Sequence, residues 1–549
     1  MAENVIPERN DRNNSEGEDD ENPDMYDDDR RGNHVDHRII KGPPFDCLTK
    51  ICPQPPSIID MEQISTKNCI FMIKPFRYDH TRPDRRPIPI HKENGYRDAW
   101  DDFHVRMPCS PSYVYKNGQQ KWYTIRKLLL QLKEKCHQHA ATVNDLKHTI
   151  EACAERRYNM ASLEYLLNEV YSNNERIQFM SIVLPHICSL AIHVDVICSR
   201  SPPLLRVGSN RSVTMSQYQA ASLLACAFFC LFPYRSEPKR KKEYEHFQCP
   251  NFNTLYLRGG REKVEKLRCI LHYFQRITMK EPNGVITFRR YSKANQDIPK
   301  WSRSERGIVP THLTTAKKIE DIDCVLQVDF ANKYIGGGVL NSGCVQEEIR
   351  FTICPEMLVS MLVCEVMDDN ECIFLIGCER YASYRGYSRT FQYAGDYIDE
   401  KPKDNWGRKW CHLVAIDAIY FRERSTQYHM KYIKRELTKA YVGFYIRNQT
   451  HHCAFPIATG NWGCGAFNGD RQLKAIIQLI AASETIRPLI YAAYGDKNLI
   501  ESFSVVFDYL IDQRATVRDL YHYLKRYCEA HSRLTLFEYI RQTPVHKLR

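Results

Sequence analysis

The stretch VDFANKYIGGGVLNSGCVQEEIRF, Val328 to Phe351, joins a strand-like apolar run to three consecutive glycines and then, after a short spacer, to two adjacent glutamates. Removing three Cβ atoms in a row lets backbone N–H groups converge on anionic oxygens. GGGVLNSG is neither GxGxxG nor a Walker pattern, since no Gly-Lys-Ser/Thr follows. By itself triple glycine is also a common flexible loop. A helix starting near Gln346 would carry Glu347 and Glu348 in its first turn, where the helix dipole favours acids without any function. Cys344, Ile349 and Phe351 flank the pair, so burial would raise a carboxyl pKa while the helix N-terminus lowers it.

Outward from this stretch the grammar is α/β. After about Asn283, short β-like runs (GVITFRR, CVLQVDFA, CIFLIG, HLVAIDAIYF, RPLIYAAYGD) alternate with helices such as EEIRFTICPEMLVSMLVCEV and DRQLKAIIQLIAASE. Several runs are apolar almost throughout, as strands covered on both faces are. The pattern predicts a three-layer α/β/α domain with a mixed sheet. Before it, KWYTIRKLLLQLKEK, SLEYLLNEVYSNNERIQFMSIVLPHICSLAI and SQYQAASLLACAFFCLF show helical spacing and predict an N-terminal helical accessory domain. The expected division is a disordered acidic tail at 1–42, a proline-rich extended segment with the helical domain at 43–220, the α/β domain at 221–520 and a helical extension at 521–549.

At 549 residues with 43% hydrophobic content, the chain is long enough for more than one core. The net charge of +11 is uneven: residues 1–30 hold twelve Asp/Glu against three Arg, so the remaining 519 residues carry +20. Such a body suits a polyanionic partner. Many of the 22 cysteines sit in apolar runs, as in LLACAFFCLF, and read as reduced, buried, intracellular thiols. His451-His452-Cys453 lacks a partner set at zinc spacing, so no metal is expected. The apolar run Ala220 to Phe232 ends at Pro233, too short to span a bilayer, and the N-terminus lacks signal-peptide design.

Two more loops stand out. ATGNWGCGAFNGD, Ala458 to Asp470, follows a strand-like run and precedes a helix; its plain reading is a tight turn with Trp462 as core. YASYRGYSRTFQY crowds aromatics beside Gly386, as a base-stacking surface or a packed loop.

Taken together, VDFANKYIGGG, the spaced QEE, ATGNWGCGAF and the pieces RMPCSP and RELTKAY resemble poly(ADP-ribose) glycohydrolase of the animal type, from about Phe103 to about Phe503. The resemblance implies a macrodomain with a helical accessory domain that hydrolyses ribose-ribose bonds of poly(ADP-ribose). By that resemblance Glu348 is the acid that protonates the departing ribose 2′-oxygen and then the base toward water. Glu347 holds the ribose hydroxyls, and Asp329 is the third acid. Asn332 and Gln346 bond the substrate near the scissile ribose, and Gly336, Gly337 and Gly338 cradle the diphosphate. Ile319, Glu320 and Tyr387 recognise adenine. The backbone of Asn461, Trp462, Gly463, Cys464, Gly465 and Ala466 forms the opposite wall, with Tyr494 packing on the ribose.

Two departures from the family pattern are Asn468, where a further glycine is expected, and Tyr494 in place of Phe. The resemblance implies no cofactor and no metal. Its partners would be the polymer and poly(ADP-ribosyl)ated proteins, with no membrane and no sequence-specific nucleic acid, and the chain would be a monomer in nucleus and cytoplasm. PKRKK at 238–242 reads as an import signal or a solvated loop. The alternatives are a macrodomain reader that binds the polymer without cutting it, which would have no need of QEE, and a dehydrogenase-like enzyme, which would carry GxGxxG.

Overall fold

The computed structural model describes residues 39–64, 68–91, 95–233, 246–445, 455–530 and 532–548. The expected acidic tail falls almost wholly outside the described residues, and PKRKK and His451-His452-Cys453 lie outside them entirely.

Runs rich in β-branched and aromatic residues form the strands. In chain order these are β1 (Ile40–Lys41), β2 (Cys69–Phe71), β3 (Ser212–Ser216), β4 (Val285–Ser292), β5 (Thr311–Thr314), β6 (Leu326–Ala331), β7 (Glu371–Ile376), β8 (Ala382–Arg385), β9 (Gln392–Asp396), β10 (His412–Asp417), β11 (Ile457–Gly460) and β12 (Leu489–Ala492). Ten of them build one mixed sheet in the order β1-β5-β12-β11-β6-β10-β7-β4-β3-β2, and β8 with β9 makes a separate hairpin. The block β5-β12-β11-β6-β10 is parallel. Beyond it β1, β7, β4 and β3 join antiparallel, and β2 closes the far edge parallel to β3.

Strand alternation assigns the two faces. Leu326, Val328, Val414 and Ile416 enter one core with helices Met430–Phe444, Arg471–Glu484, Lys497–Asp512 and Val517–Ala530. Ala331, Leu413 and Ala415 enter the other, with helices Lys121–His137, Leu184–Ile192, Gln217–Phe228, Arg261–Met279 and Gln346–Ile353. This is the expected α/β/α arrangement with the helical domain applied to one face. The alternation also decides that Asp329 faces the helical side.

The proline-rich segment contributes β2 to the sheet edge and buries Met72, Val105 and Met107 in the helical-side core. The expected division at 220/221 falls inside the buried helix Gln217–Phe228, and that at 520/521 inside Val517–Ala530. The helix predicted through EEIRFTICPEMLV stops at Ile353, because Pro355 pushes Cys354 out of helical geometry, to ψ 68°. The described cysteines are free thiols, most of them buried. No helix among the described residues is long and apolar enough to cross a membrane.

One buried ion pair joins two strands of the sheet and, through its arginine, the segments beside them. Arg290 on β4 is fully buried; it donates to the Glu371 carboxylate and to the carbonyls of Leu205, Glu365 and Val366. Removing one partner strands a charge, which costs about 3–5 kcal/mol. Arg290→Met should therefore lower unfolding free energy in urea by roughly that amount, and adding Glu371→Leu should recover at least half of it.

Candidate active site

Parallel neighbours share a direction, so the carboxyl ends of β5, β12, β11 and β6 open on one edge, where ligands bind in open α/β sheets. The loops leaving these ends are 315–320, 493–496, 461–469 and 332–345. They carry thirteen of the eighteen residues singled out from the sequence; Asp329 stands on β6 itself, Gln346, Glu347 and Glu348 open the helix that follows its loop, and Tyr387 arrives separately on the β8–β9 hairpin.

Three acids meet beneath the glycine loop. Asp329 is fully buried on β6, and neither carboxylate oxygen has a hydrogen-bond partner among the described residues. Burial, reinforced by Glu348 nearby, pushes its carboxyl well above the ordinary range. Glu347 accepts N–H bonds from Asn332 (2.8 Å) and Gly336 (2.6 Å). Those bonds favour its charged form, yet burial and the neighbouring Asp329 and Glu348 outweigh them and raise its pKa well above the ordinary value. Glu348 accepts from Gly338 N–H (2.9 Å) and, reaching back over the helix start, from Val345 N–H (3.0 Å).

The glycines are explained by this packing. Gly336 and Gly337 have φ of +90° and +50°. A Cβ on Gly337 would stand 2.4 Å from Glu348 Oε1 and 2.6 Å from Glu347 Oε2, so those oxygens are no more than about 5 Å apart. A Cβ on Gly343 would meet the Gly338 Cα at 2.9 Å. The N–H groups of Gly336 and Gly338 go to the glutamates, and that of Gly337 to the Tyr334 carbonyl. The loop that sequence reading assigned to a diphosphate thus directs its N–H groups at the acids, and gripping phosphate with them would mean opening those bonds. Gln346 is likewise committed: it accepts from Phe330 N–H (2.8 Å) and donates to the Val328 carbonyl (3.2 Å), bolting its helix to β6. Asn332 keeps its side-chain oxygen on Tyr334 N–H.

Anion-ready N–H groups lie in the other loop instead. Those of Gly463, Gly465 and Ala466 have no bonded acceptor among the described residues, while Cys464 N–H is bonded to the Asn461 carbonyl. Trp462 is fully buried core, its indole N–H on the Ile416 carbonyl, in accord with its plain reading. Asn461 accepts from the Tyr491 hydroxyl (2.9 Å). Asn468 adopts φ +59° and donates to the Phe421 carbonyl. Asn is among the few residues that tolerate this left-handed geometry, which accounts for its standing where glycine is expected.

Tyr387 and Tyr494, more than a hundred residues apart, stand with ring centroids 5.4 Å apart at the mouth. Glu320 is buried beside them and accepts from the Tyr384 hydroxyl; Ile319 turns into a small core with Ile322 and Ile490. Sequence reading missed Tyr384 and Lys318, whose ammonium lies 4.0 Å from the Tyr384 ring centre. It also missed two donors from the helical side, Gln248 and Lys266, which hold the glycine loop. Lys266 had left a trace: Lys266, Ile270, Tyr273 and Ile277 fall on one helical stripe.

A buried acid trio at the strand ends, with open N–H groups and an aromatic corner around it, defines an enzyme of the macrodomain fold. Residues 298–501 match the family model described as poly(ADP-ribose) glycohydrolase, macro domain fold, and 171–290 match that family's helical domain. Poly(ADP-ribose) glycohydrolase 1 of Arabidopsis thaliana is 32% identical over 466 residues, covering 69% of this chain and 82% of that protein. Poly(ADP-ribose) glycohydrolase 1 of Caenorhabditis elegans is 35% identical over 329 residues, 57% of this chain and 40% of that protein. The chain belongs to the poly(ADP-ribose) glycohydrolase family.

The buried Asp329 makes stability depend on pH in a defined direction. In the unfolded chain it ionises near 3.8; in the folded state it holds its proton to much higher pH, so folding is progressively penalised as pH rises above that value. Asp329→Asn removes the penalty. Its unfolding free energy should gain on the parent protein with rising pH from 4 toward 8, by up to about 1.4 kcal/mol per unit. A difference that stays flat across that range, followed by denaturant titration, would refute the assignment.

Proposed function

We propose that this enzyme hydrolyses the ribose-ribose O-glycosidic bonds of poly(ADP-ribose), releasing ADP-ribose, with Glu348 as general acid and then general base. The observation that carries the reading is the acid trio packed under the glycine loop, where glycine at 337 is the residue that lets the backbone touch both glutamates.

In this reading the diphosphate lies along the free N–H groups of Gly463, Gly465 and Ala466. Adenine reaches the corner of Tyr387 and Glu320, and Tyr494 packs on the ribose. Glu347 and Asn332 face the ribose hydroxyls. Glu348 protonates the departing 2′-oxygen, the C1′–O bond breaks toward an oxocarbenium-like centre, and the resulting carboxylate takes a proton from the attacking water. Burial biases Asp329 and Glu347 toward their neutral forms, so the charge left on Glu348 meets less repulsion.

Glu348→Gln keeps the shape and removes the proton. It should lower kcat for ADP-ribose release by about 10²–10⁴-fold while the polymer still binds. A variant that cuts normally would overturn the role of Glu348, and an intact protein that binds without cutting would make this a reader.

The reading also takes the enzyme to act as a monomer in nucleus and cytoplasm, on the polymer and on proteins that carry it. The basic run PKRKK supports nuclear entry. Neutralising Lys239, Arg240, Lys241 and Lys242 should lower the nuclear fraction of a fluorescent fusion at least twofold; an unchanged fraction excludes the signal.

A further inference from the structure

The catalytic loop has two sides. Its N–H groups at Asn332, Gly336, Gly338 and Val345 point at Glu347 and Glu348. Five of its carbonyls accept from two side chains of the helical layer. There Gln248 donates to the carbonyls of Tyr334 (3.0 Å) and Gly337 (3.2 Å). Lys266, on the helix Arg261–Met279, donates to those of Val339 (2.9 Å), Asn341 (2.8 Å) and Gly343 (2.5 Å).

Lys266 is fully buried and takes part in no ion pair among the described residues. A buried ammonium with no carboxylate at ion-pair distance is costly, so its hydrogen bonds must be well made. All three donors of the ammonium are matched by three carbonyls, which is the full complement a lysine offers. Burial drags its pKa down to about 8 against the opposing pull of Cys344 and Glu348. One peptide bridges the two sides directly, that of Gly337 and Gly338, whose carbonyl accepts from Gln248 and whose N–H goes to Glu348, while the three carbonyls on Lys266 lie on the turn that separates Gly338 from Val345.

We propose that Lys266 is a positioning residue for the reaction, holding the 339–343 turn so that Gly338 N–H and Val345 N–H fix the carboxyl of Glu348 against the scissile ribose. The helical layer is in this sense part of the catalytic apparatus. The same helix anchors the hairpin that carries Tyr384 and Tyr387: Glu265 accepts from Tyr393 N–H (3.0 Å), and the His272 ring and Arg276 both reach Asp396. Loop and hairpin are therefore held from one rigid element, but by different side chains, and their effects are separable.

The inference rests on the reading of Glu348 as the acid, and the test separates the two. Lys266→Met, Glu265→Ala and Glu348→Gln are compared in the full chain for kcat, KM on poly(ADP-ribose), the Kd of ADP-ribose and thermal midpoint. A displacement of the acid by about 1 Å costs about 100-fold, so Lys266→Met should lose roughly that in kcat with KM and Kd within about fivefold of the parent. Glu265→Ala, which loosens the hairpin by removing one of its three anchors, should raise KM and Kd with kcat within about threefold. If Lys266→Met does not fold, Lys266→Gln is judged by the same split.

A folded Lys266 variant with parental kcat overturns the inference, as does one that loses ADP-ribose binding in proportion to kcat, since that is general structural damage. Glu348→Gln locates the failure: if it cuts normally the acid assignment falls, whereas if it is dead while the Lys266 variant is fully active, only the inference falls.

Discussion

The structure is organised around the problem of keeping three carboxyl groups together out of water. Isolated burial of one ionised carboxylate is expensive, and like charges at short range forbid all three from ionising together. Two physical remedies are visible. Asp329 and Glu347 are biased toward their neutral forms, and Glu347 and Glu348 each receive two backbone N–H bonds. Backbone can deliver those bonds from directly above only where no Cβ intervenes, which is why Gly337 and Gly343 stand where they do.

That requirement propagates outward. The same loop also buries carbonyls, and buried carbonyls need donors. Gln248 and Lys266 supply them, which makes the helical layer a structural necessity for the loop. From below, Gln346 fastens the same helix start to β6 through two hydrogen bonds. The acids are thus fixed from sheet, loop and helix at once, as a preorganised site demands. Asp329, with no partner for either oxygen among the described residues, is where stability has been conceded to function.

Much of this was legible in the chain. The period-2 and apolar runs gave β4, β6, β7, β10 and β12, and the glycine–glutamate stretch gave a strand, a loop and a helix beginning at Gln346. Trp462 as core and Asn468 as a tolerated exchange for glycine also follow from residue type. The helix break at Pro355 needed closer attention to the residue before proline than periodicity allows. The polarity of the glycine loop is not legible in the chain: three glycines announce close approach of backbone, but not what approaches, and here the N–H groups of Gly336 and Gly338 meet the protein's own glutamates.

By itself, then, the sequence determined the layers, the mixed sheet and the glycine–glutamate stretch as strand, loop and helix, because these depend on local periodicity and on residue chemistry, while the roles of the three acids came from the family resemblance. Only the tertiary structure decided which side of β6 Asp329 faces, that Tyr387 and Tyr494 form one corner, and that a lysine seventy residues upstream holds the loop above Glu348. The reason is physical. Burial, the pairing of hydrogen-bond donors with acceptors and mutual charge repulsion are properties of groups brought together from distant parts of the chain, and no short stretch of it contains them.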